Sequence, residues 1–402
     1  MSHKPIAIRG ALVLCAGFLV LFMGGGTRFV VGLTLKPIVD ELGWNRSDLG
    51  AAVAVFQFVS AAAMFVAGRV TDRSGPRLVL GCGLFLSGLG ISLMSIIAAP
   101  WHAILLYGVI YGLGSGAASL IPVGVMVTRV FSARMGIANA VVMAGMSVGQ
   151  LVMIAVLTAA LVSMSWQSVY LSLGIAHLAL LPFLIAIIPQ STAAQQQSGR
   201  SSDGLGVLAA TRTRQFWLLI AVYAICGFDD FFVTTHVVAF AQDRGVDAFL
   251  AGNLLALMGL TGLIGVVAGG ALSDHSGPAW PTALSFVARV FVFGLLMVDQ
   301  SAISVAVFAL VFGATFLVTA PLVVVFVSES FGYRHLGALT GLITMVHQIC
   351  GGIGAYFGAA VFDVTRSYND AFLTVLVLSL LALVLSMLLA RPRATPRTAY
   401  LP

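Results

Sequence analysis

Twelve apolar stretches, each long enough to cross a membrane as a helix, constrain this chain more than any other feature of its sequence. A spanning helix needs about 20 mostly apolar residues. The stretches lie near residues 10–36, 47–69, 78–98, 102–128, 135–162, 166–188, 214–241, 247–272, 279–298, 302–328, 336–362 and 369–390. They are continuous rather than alternating, which excludes a membrane β-barrel. We therefore predict an all-α polytopic membrane protein embedded in a lipid bilayer.

Composition excludes the main alternatives to a membrane protein. Only 8% of the residues are charged, against about 25% in soluble domains, so a soluble enzyme and a disordered chain are both excluded. The net charge of +6 is scattered between apolar runs rather than gathered on one face, so we expect no nucleic-acid partner. Four cysteines lie in apolar stretches without disulfide or zinc spacing, and we expect neither a metal nor a cofactor.

The basic residues predict the orientation. Lysine and arginine accumulate on the side of the membrane that holds the N-terminus, whereas the opposite loops contain Lys36, Arg46, Arg244 and Arg366. By the positive-inside rule, both termini are expected in the cytoplasm. The apolar run after Arg9 continues without a cleavage site, so we interpret it as a retained first helix rather than a signal peptide.

The chain contains an internal repeat at half its length. The segment from Gly68 to Gly75, GRVTDRSG, recurs as GALSDHSG from Gly270 to Gly277, an offset of 202 residues. A polar, low-complexity stretch separates the copies and is typical of a flexible linker. We therefore predict a six-helix bundle over 1–189, a cytoplasmic linker over 190–213 and a second six-helix bundle over 214–402. Parallel repeats of six helices are a transporter architecture, with the substrate site at the midplane between halves.

The first copy, G-x-x-x-D-R-x-G-x-R after the second stretch, closely resembles the signature loop of the major facilitator superfamily. The weaker second copy is also expected for that family. The resemblance implies two pseudo-symmetric six-helix bundles that alternate between two open states, and no enzymatic activity. It also implies a gating role for the loop residues, with Asp72 pairing with Arg129 or Arg134 when the cytoplasmic side is closed. The candidate gating residues are Gly68, Asp72, Arg73, Gly75, Arg77 and Asp274.

A finer resemblance concerns the branch that includes bacterial monocarboxylate and oxalate/formate transporters. The matching segments are GTR at 26–28, PIVDELGW at 37–44, CGFDDFFVTTH at 226–236 and the His347-Gln348 pair. The resemblance implies a monomer in the bacterial inner membrane that moves a small organic anion, often with protons. One departure concerns the eighth stretch, where carboxylate transporters of this group often have an arginine. Residues 263–269 have none, and the nearest arginine is Arg289.

Ionisable residues inside the membrane are costly and usually functional, and here they cluster. The repeat offset relates Arg28 in the first stretch to Asp230 in the seventh. We expect Arg28 and Asp230 to form the substrate site, with Arg28 binding an anionic substrate group. We expect Asp229 or Asp230 to carry the coupled proton and His236 to relay it. The alternative is a permanent Arg28–Asp230 ion pair that only joins the halves.

Four further residues are candidates for substrate contact, each with a structural alternative. Arg289 either binds substrate or pairs with Asp229. Tyr111 either donates a hydrogen bond to a carboxylate or packs against other aromatic rings, and His347 and Gln348 either line the cavity or bond between helices. The preferred function is proton-coupled transport of a small organic anion, with a monocarboxylate as the favoured class. The alternatives are a proton-driven exporter of a hydrophobic or cationic compound and a non-transporting receptor.

Overall fold

The computed structural model describes residues 3–128, 131, 135–188, 204–332 and 335–389, and this part of the chain contains twelve helical spans that could cross a membrane. Spans 1, 4 and 10 consist of more than one helix, and a short helix, Val207–Ala210, precedes span 7. The helices of spans 1 to 12 are His3–Thr27 and Val30–Leu42 (1), Arg46–Ser74 (2), Pro76–Leu93 followed by a 3-10 turn Met94–Ile96 (3), Pro100–Ala103, the π-helix Ile104–Tyr111, Gly112–Ala117 and Leu120–Thr128 (4), Met135–Ala160 (5), Trp166–Ile187 (6), Arg214–Asp243 (7), Ala248–Ser276 (8), Ala279–Val298 (9), Ala302–Phe316 and Thr319–Phe331 (10), Leu336–Thr365 (11) and Asn369–Leu389 (12).

Polar side chains fix where several spans begin. A side-chain oxygen of Ser165, Thr213, Asp247 or Ser301 accepts a backbone N–H from the first turn of spans 6, 7, 8 and 10. These bonds satisfy N–H groups that have no partner within a helix. The apolar stretches therefore become helices with defined ends.

The repeat predicted from the sequence is visible in the loops that follow spans 2 and 8. Gly75 and Gly277 both have a positive φ, 82° and 81°. Each donates its N–H to a carbonyl four residues earlier, that of Thr71 or Ser273. Glycine adopts this conformation without steric cost, which explains its place in both copies. The two halves therefore share the same loop geometry.

The predicted gating residues lie around this loop, on the face of the bundle at which span 1 begins, called here the N-terminal face. Arg73 and Asp274 are exposed, and Arg77 is half-buried. The side chain of Asp72, and both Arg129 and Arg134, lie outside the described residues. The predicted pairing of Asp72 therefore stays a prediction.

The two halves pack most closely toward the other face, called here the opposite face. Span 1 meets span 7 where Gly32 abuts the carbonyl of Thr234. Span 2 meets span 11 at Gly50, where an added Cβ would lie 2.8 Å from that of Ala359. Glycine permits these close approaches because it has no Cβ. The space between the two halves is thus covered from the opposite face.

Candidate functional site

Arg28 occupies a break in span 1. The helix ends at Thr27 and resumes at Val30, and the hydroxyl of Tyr107 donates to the carbonyl of Arg28 at 2.7 Å. The repeat is not exact here, because span 7 runs as a continuous helix through Asp230. The break is a short turn, in which the N–H groups of Arg28 and Phe29 still bond to carbonyls of the preceding helix, and it places a cation well inside span 1.

The guanidinium of Arg28 lies between aromatic rings rather than against a carboxylate. Its Cζ is 5.3 Å from the ring centroid of Phe29 and 5.0 Å from that of Phe231 in the other half. Within the described part of the chain, Arg28 forms no ion pair, and its buried Nε has no hydrogen-bond partner. The predicted alternative of a permanent Arg28–Asp230 pair is therefore wrong for this structure. Arg28 retains a free positive charge.

Asp230 is bound by residues of its own half. Its Oδ1 lies 2.7 Å from Nη2 of Arg289 in span 9, and its Oδ2 lies 3.1 Å from Nε2 of His347 in span 11. The thiol of Cys226, one turn earlier, lies 3.5 Å from the same Oδ2. The sequence offset between the halves did not indicate these partners, because it says nothing about contacts within a half.

Asp229 lies beside Asp230 but faces span 12. Its Oδ2 accepts a hydrogen bond of 2.8 Å from Ser379 and lies 3.7 Å from Nη1 of Arg289. Arg289 also donates from Nε to Oγ1 of Thr315, at 3.2 Å. Because Arg289 has no exposed surface, it acts in this structure as the counter-ion of two aspartates, and Asp230 is its nearer partner. The structural alternative predicted for Arg289 was an ion pair with Asp229. That pair is present, but at 3.7 Å it is longer than the contact of 2.7 Å with Asp230.

His347 separates Asp230 from the space between the halves. The His347 side chain is 19% exposed, whereas that of Asp230 is 2% exposed. Gly227 allows this arrangement, since it abuts the carbonyl of His347 where any Cβ would clash. The imidazole of His347 is therefore the more exposed member of the Asp230–His347 pair.

Gln348 and Tyr111 make the contacts of their structural alternatives, whereas their roles in substrate contact stay predictions, and the buried hydroxyl of Tyr111 has no partner among the described residues. The amide of Gln57 donates to Oε1 of Gln348 at 3.0 Å, which joins spans 2 and 11 across the halves. Tyr111 is buried and stacks on Phe56 with ring centroids 5.1 Å apart. Its ring centroid also lies 5.2 Å from that of Tyr107. Tyr111 thus lies in an aromatic layer next to the Tyr107–Arg28 contact.

His236 does not contact the aspartates. It lies about 9 Å further along span 7 than Asp230, at 1.5 Å per residue. Its Nε2 lies 2.8 Å from the carbonyl of Ala355, and its Nδ1 lies 3.0 Å from the hydroxyl of Tyr368. Because the carbonyl can only accept, Nε2 carries the proton and Nδ1 accepts from Tyr368. His236 therefore makes no direct contact with Asp230 that would support its predicted role as a proton relay.

A cluster that the sequence reasoning missed closes the opposite face. Arg46 in span 2 donates to Tyr368 at 2.8 Å and pairs with Asp243 at 2.7 Å, both in the other half. The carboxylate of Asp363 accepts the backbone N–H groups of Arg46 and Ser47. Lys36 also pairs with Asp243, at 3.0 Å. The sequence did not predict this cluster, because its residues lie near the ends of the spans, where charged side chains are common in any membrane protein. We call these residues the closure cluster: Lys36, Arg46, Asp243, Asp363 and Tyr368.

Burial has a clear electrostatic effect within the closure cluster. Tyr368 lies between spans 11 and 12, and burial raises the pKa of its hydroxyl although the nearby Arg46 opposes the shift. Tyr368 therefore stays neutral at physiological pH, accepting from Arg46 and donating to His236.

The side chains with metal-binding atoms that come together at the centre are Cys226, Asp230 and His347, whose atoms lie within 4.8 Å of one another. Each already has a partner, and Asp230 bears the guanidinium of Arg289. A divalent cation at Asp230 would lie next to that positive charge. The cluster is therefore better explained as a hydrogen-bonded acid group than as a metal centre.

Comparison with known proteins agrees with this architecture. The sequence profile described as Major Facilitator Superfamily matches residues 17–355, and a second match covers 219–400. The chain is 26% identical over 343 residues to the uncharacterized MFS-type transporter YcxA of Bacillus subtilis, covering 83% of this chain and 84% of that protein. It is 25% identical over 322 residues to monocarboxylate transporter 13 of Rattus norvegicus, covering 80% of this chain and 74% of that protein.

Solved structures share the fold at low sequence identity. The nucleoside transporter NupG gives a TM-score of 0.79 at 13% identity, covering 96% of this chain and 100% of that one. A bacterial homolog of the human lysosomal transporter Spinster, described as inward-facing and unoccupied, gives 0.80 at 14% identity, covering 97% and 98%. At these identities the likeness concerns the fold alone.

Proposed function

This chain belongs to the major facilitator superfamily, and we propose that it carries a small organic anion, a monocarboxylate, together with protons. The two halves, 1–189 and 214–402 with the linker 190–213 between them, would rock around a site at Arg28. By the positive-inside rule, the N-terminal face would be cytoplasmic, in the inner membrane of a bacterium, and the protein would work as a monomer.

The observation that carries this proposal is the free guanidinium of Arg28. It lies at the helix break, next to the other half, with no carboxylate paired to it in the described chain. An isolated charge inside a membrane protein is costly unless something compensates it. A substrate carboxylate would supply that compensation, because its two oxygens match the guanidinium fork.

Proton coupling follows from the charges around Arg28. Asp229, Asp230 and Arg289 together carry one net negative charge when both aspartates are ionised and His347 is neutral, and Arg28 brings the sum to zero. A bound carboxylate makes the region negative again, and a proton on the Asp230–His347 pair restores neutrality. Substrate and proton then favour each other's binding by the same free energy.

The exporter alternative finds less support in this arrangement. A cationic compound would need a carboxylate free to receive it, but Asp230 and Asp229 already share the charge of Arg289. Among the described residues, Arg28 borders the space between the halves without a paired carboxylate, and its positive charge would repel a cation. The relatives that match over most of the chain also include monocarboxylate transporters, and this supports an anionic substrate rather than a cationic one.

The proposal can be tested by thermal unfolding of the purified protein with acetate, lactate and pyruvate. A ligand that binds the folded state raises the melting temperature by mass action. We expect stabilisation of the wild type and none of Arg28→Gln. The matched control is Arg244→Gln, which removes an exposed arginine at the opposite face and should respond as the wild type does.

Transport measurements in vesicles test whether uptake is coupled to protons. We expect the uptake of a stabilising carboxylate to accelerate when the outside is acidic, and Asp230→Asn to remove this pH dependence. If lipophilic cations stabilise the wild type and Arg28→Gln equally while no carboxylate stabilises either, the proposal fails and the exporter replaces it.

A further inference from the structure

A row of three hydrogen-bonded side chains crosses between the halves near the opposite face. Arg46 of span 2 donates from Nη1 to the hydroxyl of Tyr368 at 2.8 Å. That hydroxyl lies 3.0 Å from Nδ1 of His236 in span 7, and Nε2 of His236 lies 2.8 Å from the carbonyl of Ala355 in span 11. We call Arg46, Tyr368 and His236 the latch. It ties the N-terminal half to the interior of the C-terminal half.

The protons of the latch have a single consistent arrangement. The carbonyl of Ala355 can only accept, so Nε2 of His236 carries a proton. The guanidinium of Arg46 can only donate, so the hydroxyl of Tyr368 accepts from it and directs its own proton elsewhere. Nδ1 of His236 accepts that proton, which requires that the imidazole be neutral. The closed latch therefore contains a neutral His236.

A protonated His236 would conflict with the hydrogen bonds of the latch. Both of its nitrogens would donate, so the hydroxyl of Tyr368 would face two donors, and its own proton has no other partner among the described residues. His236 and Tyr368 are each only 2% exposed, so little water can reach them to replace the lost bond. A buried polar group without a partner is costly, and protonation therefore opposes closure.

The charged groups around His236 come from four spans. Arg46 of span 2 would repel an imidazolium, whereas Asp363 of span 11 would attract it. Asp363 is already bound, because it accepts the first backbone N–H groups of span 2. Lys36 of span 1 pairs with Asp243, which lies about two turns beyond His236 in span 7. An imidazolium that drew Asp363 away would thus loosen a second contact between the halves.

We propose that the latch is a pH switch, in which protonation of His236 opens the opposite face. This inference goes beyond the proposed function, because His236 does not contact Asp230 and the switch needs no substrate. When the halves separate, Arg46 leaves Tyr368 and water reaches His236. The open state then binds a proton that the closed state excludes.

The direction of the pH effect follows from this difference in proton binding. The state that binds more protons is favoured as the pH falls. The closed state keeps its full stability above the pKa of a hydrated histidine and loses stability below that pKa. In the proposed orientation the opposite face is outside, so an acidic exterior would open the protein toward its own supply of protons.

Spin labels at Val162 and Val298, exposed positions at the opposite face of each half, test the switch in the full chain without substrate. A hydrated histidine has a pKa of about 6.5, so we expect the ratio of open to closed molecules to rise about tenfold between about pH 7.5 and about pH 5.5. His236→Gln keeps a donor for Ala355 and an acceptor for Tyr368 but takes up no proton. It should stay closed at both pH values.

A second variant and a matched control complete the test. Tyr368→Phe removes the hydroxyl that joins Arg46 to His236, so it should open the opposite face already at the higher pH. His177 is also a buried histidine, but it bonds to the carbonyl of Leu173 in its own helix. His177→Gln should therefore keep the pH response of the wild type.

The outcomes separate the switch from proton coupling at Asp230. We expect Asp230→Asn to keep the pH response in the absence of substrate. A response that disappears in Asp230→Asn and persists in His236→Gln would refute the switch and leave the coupling proposal standing. The switch also fails if the wild-type distances do not change with pH, or if Tyr368→Phe is as closed as the wild type at both pH values. If the switch holds but no carboxylate stabilises the protein, the proposed function falls alone.

Discussion

At the scale of single residues, Arg289 is the side chain on which the centre of the C-terminal half depends most. It is fully buried, and its guanidinium contacts both Asp229 and Asp230. Removing one partner of a buried ion pair leaves the other charge uncompensated, at a cost of about 3–5 kcal/mol. We therefore expect Arg289→Gln to lower the free energy of unfolding by about that amount, and adding Asp230→Asn to recover part of it.

Chemical denaturation of the purified variants measures this prediction. Arg244→Gln, at an exposed position, should change the unfolding free energy little and serves as the control for the loss of an arginine. A stability of Arg289→Gln equal to that of the wild type would show that the pair contributes nothing in the membrane protein.

At the scale of helices, the closure cluster contains a helix cap that comes from the other half. Asp363 in span 11 accepts the first N–H groups of span 2, at 3.0 and 2.8 Å. When the opposite face opens, this cap must separate from span 2. A lost cap costs about 1 kcal/mol, so we expect Asp363→Ala to shift the population about fivefold toward the state with an open opposite face.

A cap within one half provides the matched control. Asp247 accepts the first N–H groups of span 8, its own helix, so Asp247→Ala should affect both states equally and leave their ratio unchanged. Spin labels at the exposed positions Val162 and Val298, one in each half at the opposite face, report the separation. Equal distance distributions in both variants would contradict a gating role for Asp363.

The elements also show what the sequence can and cannot predict. The spans follow from the length of the apolar runs, which is a local property, and the structure confirms all twelve. The first predicted span ended at residue 36, whereas the helix continues to Leu42. Its last turn is polar, and Glu41 binds Trp166 at 2.7 Å. Contacts such as those of Asp230 with Arg289 were not predictable, because they depend on how separate helices are rotated and packed.

At the scale of the whole molecule, the halves are joined from the middle of the membrane to the opposite face. Among the described residues, the hydrogen bonds between halves run from Gln57–Gln348 to the closure cluster. Arg28 and His347 keep some exposed surface at the inner end of this contact. We infer that this state exposes the proposed site toward the N-terminal face, opposite to the contacts of the closure cluster.

Locking the opposite face would test whether transport requires this contact to open. Cysteines at Gly50 and Ala359, whose Cβ atoms would lie 2.8 Å apart, join spans 2 and 11 across the halves. The separation is slightly shorter than that of an ordinary disulfide, so a small shift of the helices suffices. The matched control joins Val59 and Gly112, 3.2 Å apart, in spans 2 and 4 of the same half.

We expect oxidation of the pair across the halves to abolish uptake and a reducing agent to restore it. The control pair should transport in both redox states, because rocking moves each half as a unit. Carboxylate binding should survive the lock, since the site stays open toward the N-terminal face. Continued uptake by the oxidised, fully cross-linked protein would mean that the substrate passes without separation of spans 2 and 11, which alternating access between rigid halves does not allow.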